Sequence, residues 1–132
     1  MVKISHRVYY YETDKMGRVY HSNFLKWMEE ARTEFIRVKG ISYKEIEEMG
    51  YLLPVKELNV KYINPVEYDE EVMICISIEK FTRLIIEFKY EFWDRDMKLK
   101  FGEASSISIF TNKEGKPIRV DKELYGKLRE ER

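Results

Sequence analysis

Along residues 2–10 apolar and polar side chains alternate, with Val2, Ile4, Val8 and Tyr10 on even positions and Lys3, Ser5, Arg7 and Tyr9 on odd ones. That period of two predicts a strand with one buried face, and His6 falls on it. Residues 12–17, Glu12-Thr13-Asp14-Lys15-Met16-Gly17, are too polar to extend the strand and too few for a linker, so a loop inside the fold follows. Beyond Ser22 and Asn23, either a suitable N-cap, the residues Phe24, Trp27, Met28, Ala31, Phe35 and Val38 recur every three or four positions. The spacing predicts a helix of roughly four turns whose apolar stripe faces the core and which Gly40 stops. Lys26, Glu30 and Arg37 take its other face, and Glu29 and Arg32 are spaced for an ion pair. Ser42-Tyr43-Lys44-Glu45 has the spacing of a capping box, which predicts a second, shorter helix closed by Gly50.

The rest of the chain reads mostly as strand. Residues 53–63 alternate, but their apolar phase moves from odd positions (Leu53, Val55) to even ones (Leu58, Val60, Tyr62), which predicts a bulge near Lys56 and Glu57. Val72, Ile74, Ile76 and Ile78 mark a third strand. Leu84, Ile86, Phe88, Tyr90 and Phe92 mark a fourth, with Arg83, Glu87, Lys89 and Glu91 facing out. After a turn at Asp94-Arg95-Asp96, residues 97–110 form a fifth, interrupted by Gly102. Asn112-Lys113-Glu114-Gly115 then reads as a hairpin turn into a short strand over 117–120, and Asp121 caps a charged surface helix over 121–132. One strand, two helices and a run of strands with short turns make an α+β domain over residues 1–132 with antiparallel pairing.

Composition narrows the functional classes. In 132 residues, 44% are hydrophobic and 14% aromatic, enough to build a core and to set disorder aside. The 24 basic side chains balance 24 acidic ones, which argues against a nucleic-acid binder. The one cysteine, Cys75, cannot form an intrachain disulfide or a zinc site alone, and reads as a sheltered thiol. No apolar run approaches the roughly 18 residues of a membrane span, and the charged N-terminus lacks a signal-peptide pattern, so a cytoplasmic protein is expected.

The segment densest in chemistry runs from Tyr9 to Phe24. A carboxylate, Asp14, sits on a loop that Gly17 allows to turn, and seven residues later His21 stands at the entry of the long helix. A helix start offers unpaired N–H groups to a developing oxyanion, so the pair suits acyl transfer; Asp14 as a plain turn residue is the competing reading. His6, on the buried face of its strand, reads as a packed and hydrogen-bonded residue rather than a catalyst. The Tyr9-Tyr10-Tyr11 run is expected to divide between core and interface. No Gly-x-Ser-x-Gly elbow, two-histidine zinc helix or phosphate-cradling glycine loop is present in the sequence.

Tyr11-Glu12-Thr13-Asp14, Gly17, Val19-Tyr20-His21 and Asn23, followed by Trp27, Glu29 and Ala31-Arg32, resemble the signature of the 4-hydroxybenzoyl-CoA thioesterase-like branch of hot-dog proteins, near the bacterial acyl-CoA thioesterases found beside the Tol-Pal system. Gly40-Ile41-Ser42-Tyr43, Leu52-Leu53-Pro54-Val55, Tyr62, Pro65 and Tyr68 extend the resemblance over most of the chain. It implies a hot-dog fold, an antiparallel sheet wrapped around one long helix, with protomers joined edge to edge as a homodimer or homotetramer. It implies an acyl-CoA thioesterase with no metal and no cofactor, coenzyme A being part of the substrate. Asp14 stands where the family places its essential carboxylate, acting as nucleophile or as general base. His21 stands where a backbone N–H polarises the thioester oxygen. Gly17, Tyr20 and Asn23 are the accompanying candidates for substrate contact. A hot-dog hydratase or dehydratase and a non-catalytic acyl-ligand module are the alternatives.

Overall fold

A computed structural model describes residues 1–129. Its elements run β1 (Val2–Arg7), a single 3-10 turn (Tyr10–Glu12), α1 (Asn23–Val38), α2 (Tyr43–Glu48), β2 (Val55–Tyr62), β3 (Glu71–Phe81), β4 (Ile85–Asp94), β5 (Lys100–Ile109) and α3 (Lys122–Arg129). The five strands form one antiparallel sheet in the order β1-β3-β4-β5-β2, so β1 and β2 are its edges. This is the α+β arrangement, helix against antiparallel sheet, that the sequence implies.

The core lies between α1 and one sheet face. From α1 come Phe24, Trp27, Met28, Ala31, Phe35 and Ile36; from the sheet come Val72, Ile74, Ile76, Ile86, Phe88, Tyr90, Phe92 and Phe101. Each large apolar side chain taken out of water here contributes about 1.5–3 kcal/mol. The outward positions of the inner strands carry Ser77, Glu87, Lys89, Glu91, Glu103 and Ser105, with Lys100 Nζ 2.9 Å from Glu91 and 2.7 Å from Glu103, so that face suits water.

Several expectations hold locally. The register of β2 against β5 shifts between Val55 and Glu57, where the change of apolar phase placed a bulge. Ser42 Oγ accepts the Glu45 N–H at 3.1 Å, Asp121 Oδ1 accepts the Leu124 N–H at 2.8 Å, and Gly40 (φ +85°) and Gly50 (φ +98°) follow α1 and α2.

Others are corrected. Tyr10 leaves the first strand: the chain folds into the 3-10 turn, and Tyr9, Tyr10 and Tyr11 are all exposed, none entering the core. Neither Ser22 nor Asn23 caps α1 with its side chain; Asn23 is buried, and its amide donates instead to the carbonyls of Glu12 (2.8 Å) and Tyr20 (3.2 Å). Arg32 does not pair with Glu29. It is buried and donates to Tyr90 Oη at 3.1 Å, and that hydroxyl is hydrogen-bonded in turn to Ser106 Oγ at 2.6 Å. Residues 117–120 form one bridge, Thr111 to Pro117, rather than a strand. The terminal helix is no mere surface helix, because Leu124 and Leu128 are buried in the core; its expected last residues, 130–132, lie outside the described chain.

Candidate active site

The site grows from a short, heavily hydrogen-bonded loop. Asp14 N–H donates to the Arg18 carbonyl at 2.7 Å, Gly17 N–H donates to the Asp14 carbonyl at 3.1 Å, and Val19 N–H reaches the Val66 carbonyl at 2.7 Å. Gly17 has φ +76°, a left-handed turn position that a side chain disfavours even though open space surrounds its α-carbon. The turn folds the Asp14 side chain back on its own backbone: Oδ1 accepts the N–H groups of Met16 (2.8 Å) and Arg18 (3.3 Å). Among the described residues Oδ2 accepts no hydrogen bond, so one oxygen orients the carboxylate and the other is unengaged.

Asp14 and His21 come together. Both line a cleft of about 330 Å³ with Met16, Arg18, Val19, Phe24, Tyr62, Ile63, Asn64, Pro65 and Val66. The first N–H groups of α1 bond back one turn, Asn23 to Tyr20, Phe24 to His21 and Leu25 to Ser22. Among the described residues the N–H groups of His21 and Ser22 find no acceptor. The cleft therefore combines a half-engaged carboxylate, unpaired donors at a helix entry and an apolar lining, the set that acyl transfer needs.

Gly17, Tyr20 and Asn23 lie outside that lining. Gly17 shapes the loop, Tyr20 packs its ring 4.3 Å from that of His21, and Asn23 ties the helix entry to Glu12. Two residues absent from the sequence-based candidates matter here. Tyr62, at the end of β2, donates its hydroxyl to the His21 carbonyl at 3.0 Å and packs edge-on to the His21 ring; its place in the apolar alternation of residues 53–63 and in the family resemblance was the available signal. Glu12, read as a polar loop residue, is 3% exposed. Its carboxylate accepts from His6 Nε2 (2.9 Å), Trp27 Nε1 (2.9 Å) and Tyr9 N–H (2.8 Å). Burial pushes its pKa up, but these bonds, that of His6 foremost, outweigh burial and hold it below 4.5. A histidine on a buried strand face needs a partner, and that need was the available clue.

Among the described residues no cluster of His, Cys, Asp or Glu could hold a metal ion, and no helix is long and apolar enough to cross a membrane. Cys75 is buried, and burial raises its thiol pKa.

The thioesterase superfamily profile matches residues 16–101, taking in His21 and Tyr62 but beginning just past Asp14. The Bacillus subtilis protein YneP, provisionally named an acyl-CoA thioesterase, is 37% identical over 87% of this chain and 83% of its own. Acyl-CoA thioesterase YbgC of Haemophilus influenzae is 28% identical over 89% of this chain and 87% of its own. Among solved structures, DHNA-CoA thioesterase from Staphylococcus aureus superposes with a TM-score of 0.87 at 34% identity, covering 96% of this chain and 89% of that one.

Proposed function

The chain belongs to the thioesterase superfamily and has its hot-dog fold, and from that membership we propose an acyl-CoA thioesterase that cleaves its substrate with water into a carboxylic acid and free coenzyme A. The enzyme class, thioester hydrolase, is that of the relatives; the finer reading rests on one observation. Asp14, with one unengaged carboxylate oxygen, and His21, whose N–H is unpaired among the described residues, line the same cleft, and the unpaired N–H of Ser22 is next in the chain.

Asp14 is the reacting carboxylate. Either Oδ2 attacks the acyl carbon, expelling the thiolate and leaving an anhydride that water then opens, or it takes a proton from a water that attacks directly. In both routes negative charge develops on the carbonyl oxygen, and the donor for it in this proposal is the His21 N–H, with that of Ser22 beside it in the chain. A thioester suits this small apparatus, because its carbonyl is poorly resonance-stabilised and its thiolate leaves readily. Phe24, Val19, Tyr62 and Val66 supply apolar surface for the acyl group. Arg18 in the cleft and Lys15 in the adjoining depression beside Tyr10 and Tyr11 are cations within reach of the coenzyme phosphates.

The motif from Asp14 to His21 supports placement in the 4-hydroxybenzoyl-CoA thioesterase-like branch, near the Tol-Pal-associated enzymes, acting in the cytoplasm as one domain without cofactor. A homodimer or homotetramer completes the proposal. Strand β2 is an open edge bearing exposed Val55, Leu58 and Tyr62, and Tyr62 belongs to the cleft as well, so a second copy paired there would adjoin the site.

The test is an acyl-CoA panel with detection of free thiol, run on the parent and on Asp14→Ala and Asp14→Asn. The parent is expected to release thiol and both variants to lose at least about a hundredfold in kcat. Parent-like turnover in folded Asp14→Ala sinks the reading, and saturable acyl-CoA binding without thiol release would make the protein a binding module.

A further inference from the structure

The Asp14 loop and the His21 helix entry lie seven residues apart in the chain, and Glu12, two residues before Asp14, is hydrogen-bonded to the residues on either side of His21. Glu12 uses its side chain and its backbone for different tasks. Its carboxylate is fixed by three donors from three places: His6 on β1 with Nε2 2.9 Å from Oε1 and 3.2 Å from Oε2, Trp27 on α1 at 2.9 Å, and the Tyr9 N–H at 2.8 Å. Its carbonyl accepts the Tyr20 N–H at 2.8 Å and the Asn23 amide at 2.8 Å, bracketing His21 on both sides. Two residues after Glu12 comes Asp14. His6 is itself held from behind, its Nδ1 lying 3.3 Å from Glu30 on α1.

The geometry points to Glu12 as the positioning residue of the active site: a buried carboxylate, anchored by His6 and Trp27, that sets the Asp14 loop and the His21 N–H at their working separation. Glu12 does not line the cleft. Acyl transfer requires attacking group and oxyanion donor to be set to within a fraction of an ångström, and a rigid support does this where an exposed loop alone does not. The network is suited to that task because it is buried and directional. Every donor aimed at Glu12 meets a carboxylate oxygen, and an amide in its place turns an N–H₂ group toward at least one of them.

This inference rests on Asp14 carrying the reaction, and the experiment separates the two. Acyl-CoA hydrolysis is measured for the parent, Glu12→Gln, Asp14→Ala and the double variant, with circular dichroism and thermal unfolding to verify folding. Glu12→Gln is expected to lower kcat about tenfold or more with KM within about twofold, and to cost clearly less in the Asp14→Ala background, because the part of its effect that runs through Asp14 is already lost there. Parent-like kcat in folded Glu12→Gln, or the same further loss in both backgrounds, overturns the positioning role while leaving Asp14 in place. Parent-like turnover of Asp14→Ala overturns the catalytic reading instead. If Glu12→Gln does not fold, His6→Gln removes only the imidazole arm and takes its place in the same cycle. A drop in kcat of about threefold or more that shrinks without Asp14 supports the inference, and parent-like kcat, or an equal drop in both backgrounds, overturns it.

Discussion

A carboxylate buried as deeply as Glu12 costs several kcal/mol to desolvate unless donors repay it, and here His6, the Tyr9 N–H and Trp27 do so. The consequence for acid stability has a definite sign. Because its folded pKa lies below 4.5, ionised Glu12 stabilises the fold fully above that value, and the contribution is lost as pH falls through the depressed folded pKa. Glu12→Gln is therefore expected to be less stable than the parent by about 1–3 kcal/mol at pH 7, the scale of a buried donor left facing another donor. The difference should shrink below pH 4.5, as measured by urea unfolding at a series of pH values; a gap that is constant down to pH 3 contradicts it. Buried polar residues are also where the sequence was hardest to read. Asp14 and His21 announce themselves through motif and helix entry, whereas Glu12 looks like any turn acid and Arg32 like any surface partner of Glu29. Arg32 instead lies in the interior against Tyr90 and Tyr43, and burial drives the Tyr43 phenol pKa up to about 12 in spite of the nearby guanidinium. Burial of a charged side chain depends on what the rest of the chain brings to it, which spacing along one helix does not contain.

Elements with a strong period were legible, because the pattern and the packing have one cause. The even-numbered apolar residues of β3 and β4 face α1 as their alternation requires, and the phase change in β2 marks a real register shift. The short helix α2 was legible from its cap, but features set by tertiary contacts were not: the 3-10 turn at Tyr10–Glu12 and the burial of Leu124 and Leu128 on α3 depend on what packs against them rather than on period. Gly102 shows how a single interruption in a strand can report a contact between elements. A β-carbon there would sit 2.7 Å from the Lys61 carbonyl oxygen and 3.4 Å from the Phe24 ring, the first on edge strand β2 and the second at the start of α1. Its partners in register are Tyr62 on one side and Phe92 on the other. Gly102→Ala must push β2 outward, at a cost of about 1–3 kcal/mol in stability by thermal or denaturant unfolding. Since Tyr62 is the residue displaced and its hydroxyl bonds to the His21 carbonyl, KM for acyl-CoA should rise as well. An unchanged unfolding midpoint would mean that β2 yields without strain.

At the scale of the whole molecule, the order of strands was beyond the sequence, because alternation says which face a strand buries and not which neighbour it takes. β2 and β3 follow each other in the chain yet stand apart in the sheet, and that crossing leaves β2 as an edge. Leu58 shares with Val60 and Tyr62 the side of β2 that faces the core, but it is 43% exposed, and of the eight residues of this strand Val60 alone is half-buried. An open edge with exposed apolar side chains is an association surface unless charge or a bulge blocks it; the bulge here falls at its far end, between Val55 and Glu57, and its charges, Lys56, Glu57 and Lys61, are of both signs rather than one repelling set. The proposed pairing through β2 makes two linked predictions. Light scattering of the parent at micromolar concentration should give at least a dimer, and Leu58→Glu should weaken association about tenfold or more, equivalent to about 1.4 kcal/mol. Because Tyr62 lies on the same strand and in the cleft, dissociation should also lower thiol release, and the loss should diminish as protein concentration rises. A monomeric parent would rule out the pairing. A monomeric Leu58→Glu variant with full specific activity would show that one protomer holds the complete site.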